Sequence, residues 1–178
     1  HNVSSAASDV YKRQAQTLNK VGDETPSVVS AEFIVKVFNT VQDLIAKDLI
    51  VAGHDISAGG LITTLCEMCF SDNNVGADLV LDSLNEEDSI KLLFSENAGL
   101  VIQSKDDSIE DYFKKDSIEF FKIGKTSKSD NLTIKNFNEN IELKISEFRD
   151  EWFSTSVLLD KKQTSNNLAI ERFNTVSY

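Results

Sequence analysis

At 178 residues with 40% apolar side chains, the chain is long enough for one domain with a real core, and disorder throughout is excluded. A formal net charge of −11 excludes non-specific binding to nucleic acid and to an anionic membrane surface, but not nucleotides, which local N–H groups and a metal hold. No apolar run approaches the ~20 residues of a membrane span, and no basic-then-apolar secretory pattern opens the sequence, so a cytoplasmic protein is expected.

In chain order, Pro26, the sole proline, marks the approach to a first helix over Ser30–Lys47. There Phe33, Ile34, Val37, Phe38, Val41, Leu44 and Ile45 recur at i, i+3/i+4, with Ser30 as N-cap and Lys47 as a last-turn cation. A strand is predicted at Leu49–Gly53, then a polar loop, a helix over Gly60–Phe70 and a turn at Ser71–Asn74. Next come a strand at Val75–Leu81, a helix over Asn85–Phe94, a strand at Gly99–Ser104 and a short helix over Ile109–Lys115. Three strands follow at Glu119–Ile123, Asn131–Ile134 and Ile141–Lys144, the last two as a hairpin across Asn136–Asn140. A helix over Ser146–Lys162 carries Phe148, Trp152, Phe153, Val157 and Leu158 on one side, before a polar tail from Gln163 to Tyr178. Helices interleaved with apolar strands indicate a layered α/β domain.

Chemistry concentrates in Gly53-His54-Asp55-Ile56-Ser57-Ala58-Gly59-Gly60, between a strand and a helix start. A helix start carries unpaired N–H groups and partial positive charge, and the glycine pair lets a phosphate approach that backbone. A carboxylate and a hydroxyl nearby suit a phosphate-bound magnesium ion. The same pattern also serves as a plain turn. Cys66 and Cys69 form a Cys-x-x-Cys without the second ligand pair that zinc needs. Inside a helix they read as buried, reduced, small apolar residues. His54 is the only histidine besides His1, which leaves no Ser-His-Asp triad with a spare base.

The run His54-Asp55-Ile56-Ser57-Ala58-Gly59-Gly60-Leu61, followed by Leu65, Glu67 and Met68, resembles the phosphoribosylformylglycinamidine synthase family of purine biosynthesis. The resemblance continues in Leu93-Phe94-Ser95-Glu96-Asn97-Ala98-Gly99-Leu100-Val101-Ile102-Gln103, in Ile123-Gly124, in Phe148-Arg149-Asp150-Glu151-Trp152 and upstream in Gly22–Pro26. It spans residues 15 to 165 in consistent order. Residues 1–14 match nothing in that family and are set aside as an artefactual N-terminus. Residues 15–28 form a lead-in, 29–145 the domain itself, and 146–178 a helix and linker towards a glutaminase domain that the chain lacks.

What the resemblance implies is specific. The fold is that of an aminoimidazole-ribonucleotide-synthetase-like C-terminal domain, a mixed sheet with helices and a partly ferredoxin-like topology. The Arg149–Trp152 segment is similar to the second copy found in large single-chain synthases. The family enzyme is an ATP-dependent C–N ligase of the glutamine amidotransferase type. It converts formylglycinamide ribonucleotide, ATP and glutamine to formylglycinamidine ribonucleotide, ADP, phosphate and glutamate. By resemblance, Asp55 matches the magnesium-binding aspartate and Ser57 the serine that contacts ATP, or a structurally bound ADP. From geometry, Gly59 and Gly60 admit a phosphate and His54 supports the loop. No catalytic residue is expected in this piece, because the nucleotide-binding partner domain and the glutaminase lie elsewhere in the longer protein, so the piece alone is expected to be inactive. Ala58 stands where the family commonly has an acidic residue, which removes either an ion ligand or a helix cap worth about 1 kcal/mol.

The alternatives are another enzyme of the superfamily (aminoimidazole ribonucleotide synthetase, selenophosphate synthetase or thiamine-phosphate kinase) or a non-catalytic interaction module. Glu96 is expected to accept hydrogen bonds from a neighbouring loop, Lys125 to be a solvated strand-end residue rather than a phosphate ligand, and Trp152 to anchor the last helix by packing. The acidic runs Glu86–Asp88 and Asp106–Asp107 are expected to be solvated faces or helix starts.

Overall fold

Residues 30–72, 74–165 and 167–176 are described by the computed structural model, so the 1–14 and 15–28 segments with Pro26 lie outside the described residues. The elements in order are α1 (Ala31–Ala46), β1 (Ile50–Asp55), α2 (Gly60–Cys69), β2 (Gly76–Val80), a 3-10 turn (Asp82–Leu84) and α3 (Ser89–Leu93). They continue with β3 (Leu100–Ser104), α4 (Ile109–Lys115), β4 (Gly124–Ser127), β5 (Asn131–Asn136), β6 (Glu139–Lys144), α5 (Ile145–Gln163) and α6 (Leu168–Val176). They fall into two compact units, one of residues up to Met68 with Ser83–Lys122, the other of Cys69–Asp82 with Ile123 onward.

In the first unit, Ser30 is the N-cap of α1, its Oγ accepting from the Phe33 N–H at 3.0 Å. The helix ends without a glycine. Asp48 takes a left-handed φ of 56°, donating to the Ile45 carbonyl while the Leu49 N–H returns to Leu44, which closes a Schellman pair. Lys47 follows the last turn and lies 4.4 Å from the centre of the Tyr112 ring. The core is Leu44, Phe113 and Ile118, packed by Val37, Leu49, Ile50, Ile102, Ile109, Tyr112 and Phe120. Thr40, buried beside it, donates to the Asp116 carboxylate at 2.7 Å. The expected apolar face of α1 is only partly covered: Leu44 is buried, whereas Phe38 is 60% exposed and Ile34 47%.

β1 and β3 form an antiparallel pair with His54 opposite Val101 and Asp55 opposite Leu100. The strand therefore runs two residues beyond the predicted end at Gly53, because Leu100 and Val101 supply ladder partners that a local reading cannot see. The helix predicted over Asn85–Phe94 shrinks to Ser89–Leu93. Asn85 is left-handed at φ 56°, and the Asp88 carboxylate caps the Ile90 and Lys91 N–H groups. No strand forms at Glu119–Ile123. Ile118 and Phe120 are instead drawn onto the core, with the Phe120 ring 5.4 Å from Phe113; the strand begins at Gly124, just after the Ile123 carbonyl accepts from the Val80 N–H at 2.7 Å.

The second unit is a mixed four-stranded sheet in the order β4-β2-β5-β6, with β2 antiparallel to β4 and parallel to β5. Strand alternation places Ala77 and Leu79, and Leu132, Ile134 and Asn136, in the interior. The predicted hairpin forms between β5 and β6, turning at Phe137 with φ 49°. Helix α5 leaves β6 directly, and its first turn is capped by Asp130, whose carboxylate accepts from the Ser146 N–H at 2.9 Å and Oγ at 2.6 Å. Trp152 packs edge-on to Phe70 and Phe153 but stays 49% exposed. Part of the expected polar tail is the helix α6, joined to α5 by Arg172 and Asp160 at 3.2 Å. Lys125 is exposed in β4.

Candidate functional site

The turn from β1 into α2 is built almost entirely by polar contacts to backbone. Asp55 closes the strand, and its carbonyl accepts from the Thr64 hydroxyl at 2.9 Å. His54 Nδ1 lies 2.7 Å from the same carbonyl, and its Nε2 lies 3.1 Å from the Glu67 carboxylate on α2. His54 thus ties the strand end to the helix. With its carbonyl so occupied, Asp55 presents its carboxylate outward: the side chain is 70% exposed, with Oδ1 3.5 Å from His54 Nδ1.

Beyond Asp55, the Ile56 N–H donates to the Gly99 carbonyl at 2.8 Å, leaving Ser57 and Ala58 exposed. The two glycines that follow adopt φ of +90° and +76°, a region that disfavours a side chain. Neither offers a vacant N–H. The Gly59 N–H donates to Glu96 Oε1 at 2.9 Å, and the Gly60 N–H to the Ser57 carbonyl at 3.0 Å. Gly60 is buried, and a Cβ there would stand 2.6 Å from the Phe94 carbonyl carbon, so its close approach is to the chain's own 93–94 backbone.

Among the predicted residues, Asp55, Ser57, Gly59, Gly60 and His54 therefore fall on one turn, with the carboxylate and hydroxyl facing out and the glycine N–H groups facing in. Glu96 accepts from the neighbouring loop as expected. Thr64 and Glu67 were not anticipated as its supports. The available signal for Thr64 was a polar residue at the core-facing spacing of α2, where it is 1% exposed between Leu61 and Leu65. Cys66 and Cys69 are buried thiols that form no disulfide, as expected, and burial pushes the Cys69 thiol up. Among the described residues no group of three or more His, Cys, Asp or Glu is placed to hold a metal. The donor set here is one exposed carboxylate and one hydroxyl. That suits a hard cation such as magnesium, which keeps its waters and phosphate oxygens, and does not suit an all-protein cage.

The family model described as "AIR synthase related protein, C-terminal domain" matches residues 4–135, starting inside the 1–14 stretch set aside above. A probable phosphoribosylformylglycinamidine synthase, chloroplastic/mitochondrial, of Arabidopsis thaliana is 36% identical over 153 residues, covering 84% of this chain and 11% of the relative. The Homo sapiens phosphoribosylformylglycinamidine synthase is 27% identical over 165 residues, covering 88% of this chain and 12% of the relative. The chain thus spans about an eighth of these relatives or less. Among solved structures, T. maritima PurL complexed with ATP superposes with a TM-score of 0.53 at 19% identity, over 62% of this chain and 20% of that one. PurL complexed with FGAR gives 0.56 at 19% identity, over 64% and 20%. These likenesses bear out the mixed α/β architecture.

Proposed function

Residues 4–135 place the chain in the family described as AIR synthase related protein, C-terminal domain, and from that premise we propose that it is a segment of a phosphoribosylformylglycinamidine synthase acting in purine biosynthesis. In this reading the longer protein is the ATP-dependent ligase that amidates formylglycinamide ribonucleotide with glutamine-derived ammonia. This segment contributes a magnesium-nucleotide loop. Support comes from the named relatives and from PurL structures described as complexes with ATP, AMPPCP, ADP and FGAR.

The observation that carries the loop assignment is the outward, 70% exposed Asp55 carboxylate two residues from the exposed Ser57, on a turn whose glycine N–H groups are internally engaged. Asp55 would hold magnesium, which supplies charge neutralisation at the phosphate tail. Ser57 would donate to a phosphate oxygen. His54, Thr64 and Glu67 fix the strand end so that both groups keep their places. Gly59 and Gly60 serve by bringing the turn tight against the 93–96 segment rather than by donating their N–H groups.

The remaining metal and nucleotide contacts, and the glutaminase chemistry with its nucleophilic cysteine, belong in this reading to other domains of the longer protein. Cytoplasmic residence fits two buried thiols that form no disulfide, and no helix among the described residues is long and apolar enough to cross a membrane. The test is Asp55→Ala in the full-length protein, with bound Mg-nucleotide measured after purification. Reduced occupancy is expected, and wild-type occupancy removes the assignment. Purified 1–178 is expected to show no glutamine-dependent ATP turnover.

A further inference from the structure

We infer that Glu96 is a positioning residue for the Asp55–Ser57 pair and makes nucleotide binding at this turn dependent on the cation rather than on the N–H groups of the glycine pair. This rests on the reading given under Proposed function. The turn is pinned at its entry by the Asp55 carbonyl and the Ile56 N–H and at its exit by the Gly60 N–H. Between those pins Gly59 is held by a side chain from a distant segment. Glu96 Oε1 accepts its N–H at 2.9 Å across 37 residues of sequence. The bond joins a carboxylate to the backbone N–H one residue before a ten-residue helix, where partial positive charge strengthens it. The same stretch returns the Gly99 carbonyl to Ile56. Two motifs far apart in the chain are thereby locked edge to edge, and Ser57 and Ala58 are left as the exposed crown.

The chemical consequence concerns what a phosphate can touch. Glu96 already fills the Gly59 donor with negative charge, and Ser57's own carbonyl fills the Gly60 donor. A polyphosphate arriving here meets a carboxylate at the helix start and gains no N–H pair from the glycines. With the glycine pair so engaged, its attraction comes through a cation on Asp55 and the exposed Ser57 hydroxyl.

The test uses the full-length protein that carries this segment, with affinity for ATP measured across magnesium concentration for wild type and for Glu96→Ala, Glu96→Gln, Glu96→Asp and Asp55→Ala. Thermal unfolding is recorded for each. Glu96→Ala should raise the magnesium concentration for half-saturation and weaken Mg-ATP binding by about tenfold, the scale of one lost bond to a charged acceptor. Glu96→Gln, which keeps an acceptor at the same reach, should restore most of it. Glu96→Asp, one methylene shorter, should behave like Ala, and this comparison between folded variants stands even where Ala fails to fold. Wild-type magnesium dependence in Glu96→Ala or Glu96→Asp, or a Gln variant no better than Ala, overturns the inference. Asp55→Ala separates the two ideas. If it binds like wild type, the loop assignment itself falls; if it binds weakly while the Glu96 variants do not, only the present inference falls.

Discussion

His54 Nε2 lies 3.1 Å from Glu67 Oε2, fastening the last turn of the strand-bound chain to the third turn of α2 across thirteen residues. Both side chains are substantially buried, with 31% and 23% exposed, so solvent screens the pair only in part. His54→Ala and Glu67→Ala are each expected to cost about 1 kcal/mol, with a coupling of roughly 0.5 kcal/mol in the double variant. Urea midpoints of the four proteins check this. Strictly additive losses would show that the two side chains stabilise the turn independently.

Gly60 makes a harsher prediction. Any side chain there faces a φ of +76° and the 93–94 backbone at under 3 Å. Gly60→Ala should cost more than about 2 kcal/mol, since neither strain can relax without moving α2 from the 93–94 segment. Chemical denaturation measures it, and a loss within 0.5 kcal/mol, the ordinary range of surface changes, would refute the packing.

The uneven burial of α1 separates two apolar positions, Leu44 and Phe38, that the sequence periodicity treats alike. Leu44→Ala, at 0% exposure in the core, should cost about 3 kcal/mol. Phe38→Ala, at 60% exposure, should change stability by no more than about 0.5 kcal/mol. Equal losses in the isolated chain would mean that Phe38 is covered there.

Glu86 gives a pH dependence. Hydrogen bonds from Lys91 first, and from the Asp88 N–H second, hold its carboxyl below the usual glutamate range. A carboxyl lowered by folding adds stability that is fully present above its unfolded value. That contribution is lost as pH falls through the lowered folded value. The stability difference between wild type and Glu86→Gln should therefore hold at neutral pH and vanish in acid. Thermal melts of both proteins across the acid range decide it, and a difference that persists unchanged at low pH rejects the pairing.

Much of the layout was legible because its causes are local. Ser30 caps α1 through its own hydroxyl, Ile109–Lys115 has a clean helical pattern, the β5–β6 hairpin follows from alternation and a polar turn, and the cysteines' place inside α2 signalled burial. What escaped was set from far away. His54 and Asp55 join β1 only because Leu100 and Val101 pair with them, and Glu119–Ile123 stays out of the sheet because Ile118 and Phe120 are taken up by the core. Asp130 caps a helix that starts fifteen residues later, and Asp48 supplies a left-handed cap where glycine is the usual signal. At the turn itself, the residue types pointed to Asp55, Ser57 and Glu96. The direction of the glycine N–H groups did not follow from them, because it depends on which carboxylate arrives from another segment.

The route of the chain has a consequence for how the molecule is made. It passes from one compact unit to the other at Met68, back at Asp82 and over again at Lys122. Strand β2 leaves the ribosome long before its parallel neighbour β5, and all of Ser83–Lys122 must emerge in between. Neither unit corresponds to an uninterrupted stretch of the chain, so a truncation anywhere before the last helix leaves at least one of them short of a strand or a helix.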